Sequence, residues 1–361
     1  MQHLRKKFPV VNHHIYANTA ASGLLSDDLM EWRQEHDLDF LIGGSEVKGR
    51  ANTMLSETRG VVADFFNCSK DNTVLIPNFT IGLNLLLEGL GQKEKVLLLE
   101  GDYPSLNWPF ESRSFEIKYV PISKALETEI YEAVSENGIT VLALSVVQWL
   151  NGIKIDLEFL KKLKVEFPNL LIIADGTQFL GTSDFDFSES AIDLLGASAY
   201  KWLLSGYGNG LMLIKEEAKK RFDLKSKGYG SGRNMVAYDN KRTFGKRLEP
   251  GHLDTLNFGS LQFSLDFLKK IGLNAIETHL QDLSKTAKAN FMELGLLEGA
   301  VDARECHSTI FNIRADQKVF DKLSHENVVC AQRGDGIRLS FHIYNTIAEI
   351  EAVTNILKKL K

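Results

Sequence analysis

Leu170-Leu171-Ile172-Ile173-Ala174-Asp175-Gly176-Thr177-Gln178 is the stretch on which the fold turns. Its five leading residues are all apolar. A strand with one wet face would alternate, so this strand is covered on both sides. The run then stops on a carboxylate and a glycine. Just upstream, Leu157, Leu160, Leu163 and Phe167 recur at helical spacing and predict an amphipathic helix over residues 156–167. Before that helix lies another apolar run, residues 141–147. Further out are Val74-Leu75-Ile76, a helical run over 81–90, apolar runs over 96–99 and 117–122, helical spacing at Ala125, Leu126, Ile130 and Ala133, and a late strand over 211–214. Apolar strands alternating with helices predict an α/β chain: a large domain over residues 15–255 with a mostly parallel central sheet covered by helices.

From about residue 257 the texture changes. Leu261, Leu265, Leu268 and Ile271 are in helical phase, and helix continues over 276–294. Short strands follow over 309–313, 328–330 and 337–340, then a closing helix over 346–360. This pattern predicts a smaller α+β domain over residues 256–361, with residues 1–14 packed on it.

Composition sets outer limits. The chain has 361 residues, 42 basic and 47 acidic, for a net charge of −5. That balance argues against a strongly basic nucleic-acid binder. No run of 18 apolar residues predicts a membrane span. Residues 1–12 are basic in part but have no apolar stretch behind them, so they do not read as a signal peptide. Three cysteines (Cys68, Cys306, Cys330) cannot build a disulfide framework or a four-cysteine zinc site. A reduced, cytoplasmic protein with no metal centre is expected.

Ligands of parallel sheets bind outside the carboxyl ends of the strands, so the residues there carry the chemistry. After 74–76 comes Pro77-Asn78-Phe79-Thr80-Ile81-Gly82, either an ordinary helix cap or an anion site at a helix start. After 96–99 comes Glu100-Gly101-Asp102-Tyr103, where Tyr103 is either a loop aromatic or a face for a planar ligand. Asp175 is either a turn aspartate or the partner of a buried cation. Lys201, in Ser198-Ala199-Tyr200-Lys201-Trp202-Leu203-Leu204, lies among aromatic and apolar neighbours. It reads as a snorkelling lysine or as an amine made less basic by burial. Together, a strand-end aspartate, a lysine 26 residues later and a Thr/Gly helix start upstream match the needs of pyridoxal 5'-phosphate.

Six segments then fall in one order: Tyr16-Ala17-Asn18-Thr19-Ala20-Ala21-Ser22; Thr80-Ile81-Gly82-Leu83-Asn84; Ala174-Asp175-Gly176-Thr177-Gln178; Ser198-Ala199-Tyr200-Lys201; Leu248-Glu249-Pro250-Gly251-His252; and Ile337-Arg338-Leu339-Ser340-Phe341-His342-Ile343-Tyr344-Asn345-Thr346. They resemble the class V aminotransferase family of pyridoxal-phosphate enzymes, fold type I. That family includes cysteine desulfurases, selenocysteine lyases, kynureninase and isopenicillin N epimerase-like enzymes.

The resemblance implies roles. Lys201 would form the Schiff base and carry protons. Asp175 would pair with the pyridine nitrogen, and Gln178 would lie near the ring hydroxyl. Thr80 and Ser198 would bind phosphate, and Tyr103 would stack on the ring. Gln148 would face cofactor or substrate, and Arg338 would grip the carboxylate of an amino-acid substrate. His252 would reach the cofactor phosphate of the second subunit of a homodimer. Two departures point away from the desulfurases. Cys330, eight residues before Arg338, sits in the apolar run Val328-Val329-Cys330-Ala331 and reads as an inert strand cysteine. Tyr200 stands where desulfurases usually carry histidine. The expected reaction is therefore transamination, epimerisation or elimination at an amino-acid α-carbon. A cysteine desulfurase or selenocysteine lyase is the alternative within the family. A non-catalytic fold relative acting as a binding protein is the alternative outside it. A dinucleotide-binding reading fails for want of a G-x-G-x-x-G after an early strand, and the glycines at 228–232 read as a loop.

Overall fold

The computed structural model describes residues 1–228 and 240–360; of the glycine loop at 228–232, all but Gly228 lies outside that range. A two-residue strand, β1 (Ile15–Tyr16), precedes the seven strands of the central sheet. These are β2 (Thr73–Ile76), β3 (Lys95–Leu99), β4 (Glu116–Val120), β5 (Val141–Ser145), β6 (Leu171–Asp175), β7 (Leu194–Ser198) and β8 (Gly210–Ile214). Their order is β2-β8-β7-β6-β5-β3-β4. β8 runs antiparallel to both its neighbours, and every other pairing is parallel.

The unbroken apolar runs now have a cause. Along β5 and β6, Leu142, Leu144, Ile172 and Ala174 face one core, while Val141, Ala143, Leu171 and Ile173 face the other. Both faces are covered, so no position along these strands can be polar without cost. Each large aliphatic side chain buried this way contributes roughly 1.5–3 kcal/mol. Helices make the parallel connections: Pro104–Glu111 between β3 and β4, Leu126–Asn137 between β4 and β5, and Leu157–Glu166 between β5 and β6. The last is capped by Asp156, whose carboxylate accepts the Glu158 N–H at 2.9 Å. These crossovers bring the carboxyl ends of β3, β5, β6 and β7 to one edge of the sheet.

β2 is an edge strand, and its exposed donor is met from outside. The Glu249 carboxylate accepts the Leu75 N–H at 2.7 Å and pairs with Arg59 at 2.5 Å. The glutamate of the Glu249-Pro250-Gly251-His252 segment therefore closes a sheet edge.

Three elements escaped the sequence pattern. The helices Asp27–Gly43 and Ser45–Phe65 show no clear apolar stripe, since the first buries only Leu29. Both pack on the helix Thr255–Ile271. Strand β7 is the third, because Gly196 interrupts its apolar run. A Cβ at Gly196 would come within 2.8 Å of the Phe79 ring, so the helix start after β2 requires the glycine.

The C-terminal strands are β9 (Ile310–Ile313), β10 (Val328–Val329), β11 (Ala331–Arg333) and β12 (Gly336–Ser340). β12 is the middle strand of an antiparallel sheet, β11-β12-β9. β10 instead pairs in parallel with β1. Cys330 falls between β10 and β11, half-buried at the point where the pairing partner changes. The expectation of a strand cysteine is corrected accordingly.

The two ends of the sequence are tied together. Ser340 donates its N–H to the Ala17 carbonyl at 2.9 Å and accepts the Ala20 N–H on its hydroxyl at 2.8 Å. The Tyr344-Asn345-Thr346 segment completes the join. The Tyr344 and Thr19 hydroxyls meet at 2.5 Å, and the Asn345 amide donates to the Tyr16 carbonyl at 3.0 Å. Thr346 and Glu349 form a capping box for the last helix, Ile347–Lys358, and Glu349 also takes the Arg5 guanidinium at 2.9 and 3.1 Å. Among the described residues, no helix is long and apolar enough to cross a membrane.

Candidate active site

Lys201 follows β7 and is 4% exposed. The chain folds tightly there: Leu204 adopts a left-handed φ of 57° and donates its N–H to the Lys201 carbonyl. A leucine in that conformation is strained, and such strain persists only where packing enforces it. The enforcing contact comes from the N-terminal loop. Gly23 donates its N–H to the Tyr200 carbonyl at 2.9 Å, and a Cβ on Gly23 would stand 2.0 Å from the Lys201 carbonyl oxygen.

The structure brings Lys201 into one small cavity with Tyr103, Ser145, Val147, Trp149, Asp175, Thr177 and Gln178. Burial pushes the Lys201 ammonium well below its ordinary pKa; Asp175 opposes that shift, and Arg338 and Arg333 add to it. Burial likewise pushes the Asp175 carboxyl up, against hydrogen bonds from Thr177 and the charge of Lys201. The Thr177 N–H reaches Asp175 at 2.8 Å, which fixes the carboxylate's orientation at the strand end. The Lys201 amine lies 5.3 Å from the Tyr103 ring centre and 5.5 Å from that of Tyr200. Tyr103 in turn meets Trp149 edge-on at 5.7 Å.

Gln178 is held at both ends. Its amide donates to the Ala20 carbonyl at 3.0 Å, and its oxygen accepts the Trp202 indole N–H at 2.6 Å. Ser198 accepts the Phe79 N–H at 2.9 Å, so its hydroxyl proton is still available to donate. Phe79 opens the helix Phe79–Leu87, capped by Asn78, whose side chain accepts the Ile81 N–H at 2.9 Å. Thr80 is exposed on that first turn. First-turn N–H groups have no partner within their helix, and they favour an anion.

Arg338, in β12, is 3% exposed. One guanidinium nitrogen donates to the Trp149 carbonyl at 2.8 Å, while its Nε is buried without a partner. Burial lowers its pKa to about 10, with Arg333 contributing. His252 is exposed on the loop before the helix Thr255–Ile271 and does not line the Lys201 cavity.

Two residues of the site do not stand out in the sequence. Asp102 stands first after the β3 turn, a strand-end carboxylate like Asp175, and that position was its signal. It is 4% exposed and accepts the N–H groups of Tyr103 at 2.6 Å and Ser145 at 2.8 Å. The Gln148 amide approaches it at 3.4 Å, which leaves the Gln148 oxygen buried with no partner. Arg333 gave no such signal. It becomes visible only when the β11–β12 hairpin places it beside Arg338.

Comparison with known proteins agrees with this geometry. An uncharacterized aminotransferase of Schizosaccharomyces pombe is 26% identical over 332 residues, 84% of this chain and 81% of that one. A probable cysteine desulfurase of Pyrococcus abyssi is 24% identical, covering 99% of this chain and 96% of its own. The apo structure of a cysteine desulfurase from Thermococcus onnurineus superposes with a TM-score of 0.86 at 19% identity, covering 99% and 97% of the two chains. The family model for Aminotransferase class-V matches residues 41–353, a span holding Asp175, Lys201 and Arg338. A lysine and an aspartate buried together at the ends of adjacent parallel strands, within that match, place this chain in the aminotransferase class-V family.

Proposed function

We propose that this protein is a pyridoxal 5'-phosphate enzyme acting at the α-carbon of an amino acid, by transamination, epimerisation or elimination. One observation carries the reading. Lys201 is buried beside Asp175 and, among the described residues, has no carboxylate within ion-pairing distance. Burying an unpaired ammonium is costly, and the lowered basicity that burial imposes is what makes such an amine usable as a nucleophile or base.

The residues fit the cofactor. Two buried polar atoms, the Gln148 oxygen and the Arg338 Nε, have no partner, and both suit a ligand rich in polar groups. When bound, the cofactor supplies a protonated ring that draws charge away from the substrate α-carbon. Asp175 would keep the ring nitrogen protonated, Thr80 and Ser198 would hold the phosphate, and Tyr103 would offer its ring face. Gln178 would stand near the ring hydroxyl. Arg338 would hold the substrate carboxylate through a planar pair of donors. Lys201, with its basicity reduced, would act as the amine nucleophile and then move the α-proton on Nζ.

We infer a homodimer as the working unit. Leu41 and Ile42, at the end of the helix Asp27–Gly43, are 81% and 78% exposed, and Leu38 and Phe40 beside them are exposed too. An apolar patch of that kind favours cover by a second copy. His252, exposed in this chain, would then serve the partner's site. The free thiols of Cys68, Cys306 and Cys330 suit a reducing cytoplasm.

Borohydride reduction followed by peptide mapping tests the assignment. The pyridoxyl label is expected on Lys201, and Lys201→Ala should lose it. A label on another lysine would overturn the reading.

A cysteine desulfurase is the second reading, favoured by the names of several relatives. It requires a reactive thiol at the site. Burial pushes the Cys330 thiol up to about 11, which leaves little thiolate at neutral pH. Sulfide release from cysteine that vanishes in Cys330→Ala would put the desulfurase first.

A further inference from the structure

Gln178 and Val147 line the Lys201 cavity on one side and a second, larger cavity on the other. This second cavity has a volume of about 330 Å³. One wall is the helix Leu273–Glu293. Glu277, Gln281, Ser284, Lys285 and Lys288 all line the cavity, and their spacing puts them on one face of that helix. The facing wall holds Lys154, whose ammonium sits 5.0 Å from the centre of the Phe179 ring. Trp202, next to Lys201 in sequence, forms part of the floor.

The charges in this space do not cancel locally. Among the described residues, no carboxylate lies within ion-pairing distance of Lys154, Lys285 or Lys288. Lys288 turns to the backbone carbonyls of Asp302 and Arg304 instead. Glu277 accepts the Gln281 amide at 3.3 Å, and Glu305 is exposed at the rim. Lys154 is half-buried, and desolvation lowers its pKa, with Glu277 offsetting only part of the shift. Lys154 and Lys288 are both partly desolvated, and such cations are unfavourable without paired anions. An anion that brought its own charge would relieve that cost.

We propose that this cavity binds a small oxyanion, a compound carrying carboxylate or phosphate groups, held between Lys154 and the Lys285–Lys288 face. No motif of the class V resemblance includes these lysines, and the inference stands without the cofactor reading. An occupant would sit beside Gln178 and Trp202, next to the segment that carries Lys201.

Calorimetric titration of the purified full-length protein at fixed ionic strength tests this, with citrate, pyrophosphate and inorganic phosphate as separate probes. At least one probe is expected to bind once per chain with a Kd at or below about 1 mM. Preference among the three separates a carboxylate ligand from a phosphate one. Lys154→Met and Lys285→Gln should each weaken binding by at least about tenfold. Lys285 is exposed, so its variant reads cleanly even if Lys154→Met folds poorly. Lys161→Gln, on an exposed face elsewhere, should change nothing. Lys201→Ala is titrated alongside. Binding lost in Lys201→Ala but kept in Lys154→Met and Lys285→Gln would place the anion at the first site and overturn the proposal. So would the absence of binding by all three probes.

Discussion

The last residue of β6 and the turn after β3 each bury an aspartate, Asp175 at 5% exposure and Asp102 at 4%. Both carboxyls are pushed up by burial. Their surroundings differ. Asp175 takes one firm N–H, from Thr177, and faces Lys201 across a cavity. Asp102 is enclosed by the N–H groups of Tyr103 and Ser145 and by the Gln148 amide, and it does not line the cavity. Equal burial therefore does not mean an equal role. Open space and a cation make one carboxylate available to a ligand, while a shell of amide donors makes the other an anchor for its neighbours.

Asp175→Asn is the strongest test of that contrast. Removing its charge should cut turnover by roughly 10²–10³-fold, while the borohydride label on Lys201 persists. A variant as fast as wild type would reduce Asp175 to the same anchoring task as Asp102.

Asp102→Asn should act more gently and indirectly. An asparagine can accept from only one side, so a Tyr103 or Ser145 N–H loses its partner, at a cost of about 1–3 kcal/mol. Gln148 then loses its orientation, and kcat/KM should fall by roughly tenfold. Gln148→Ala should produce the same loss in activity, and the double variant little more, because the two act as a unit. Additive losses in steady-state kinetics would separate them.

A third test turns on pH and uses His342 as a counterweight. His342 donates to the Trp202 carbonyl at 3.0 Å and accepts the Ile343 N–H at 2.7 Å. That geometry suits a neutral ring, and burial lowers its pKa to about 4. The unfolded chain therefore binds the proton more readily. The contribution to stability is full above pH 6.5 and drains away as pH falls toward 4, by about 3 kcal/mol. The two aspartates have the opposite sign: raised in the folded state, they favour folding at low pH and lose that contribution as pH rises. His307, also lowered to about 4 by burial, and the aspartates contribute equally to wild type and to His342→Asn. The difference between their denaturation midpoints should therefore widen as pH rises from 4 to 7, and a constant difference would reject the histidine's role.

The smallest effect belongs to Cys330→Ala. A half-buried thiol at the junction of β10 and β11 should cost under about 1.5 kcal/mol, and α-carbon turnover should hardly change. Iodoacetamide should modify the native thiol slowly at neutral pH, and thermal melts give the stability difference.

What the sequence revealed follows the same division between local and distant causes. β2, β3, β5, β6 and β8 were readable because each is covered on both faces, which forces a run of apolar residues. Asp175 is legible because a charge at the end of such a run is locally anomalous, and Lys201 because a lysine among aromatic and apolar neighbours is. Asp102 obeys the same rule as Asp175 but is masked by the more conspicuous Tyr103 beside it. Its donors come partly from Ser145 and Gln148, more than 40 residues away, so no local pattern announces the shell. Arg333 and the helix Asp27–Gly43 were opaque for a related reason. One acquires meaning only from a hairpin, and the other turns little of itself inward.

The join between the two ends of the sequence also sets a schedule for making the protein. Thr19 meets Tyr344 across 325 residues, and Gly23 in the same opening segment seats the Lys201 turn. At roughly 5–20 residues per second, a ribosome needs about 15–65 s to deliver the later partner once the earlier one has emerged. Through that interval Phe8, which ends up against Tyr344 at 5.1 Å, has no place to go. Strands β3 to β7 can assemble meanwhile from near neighbours in sequence. The lysine turn cannot be locked until the last strand and helix arrive, so a nascent chain passes through a stage in which the sheet is built and the Lys201 amine is not yet held.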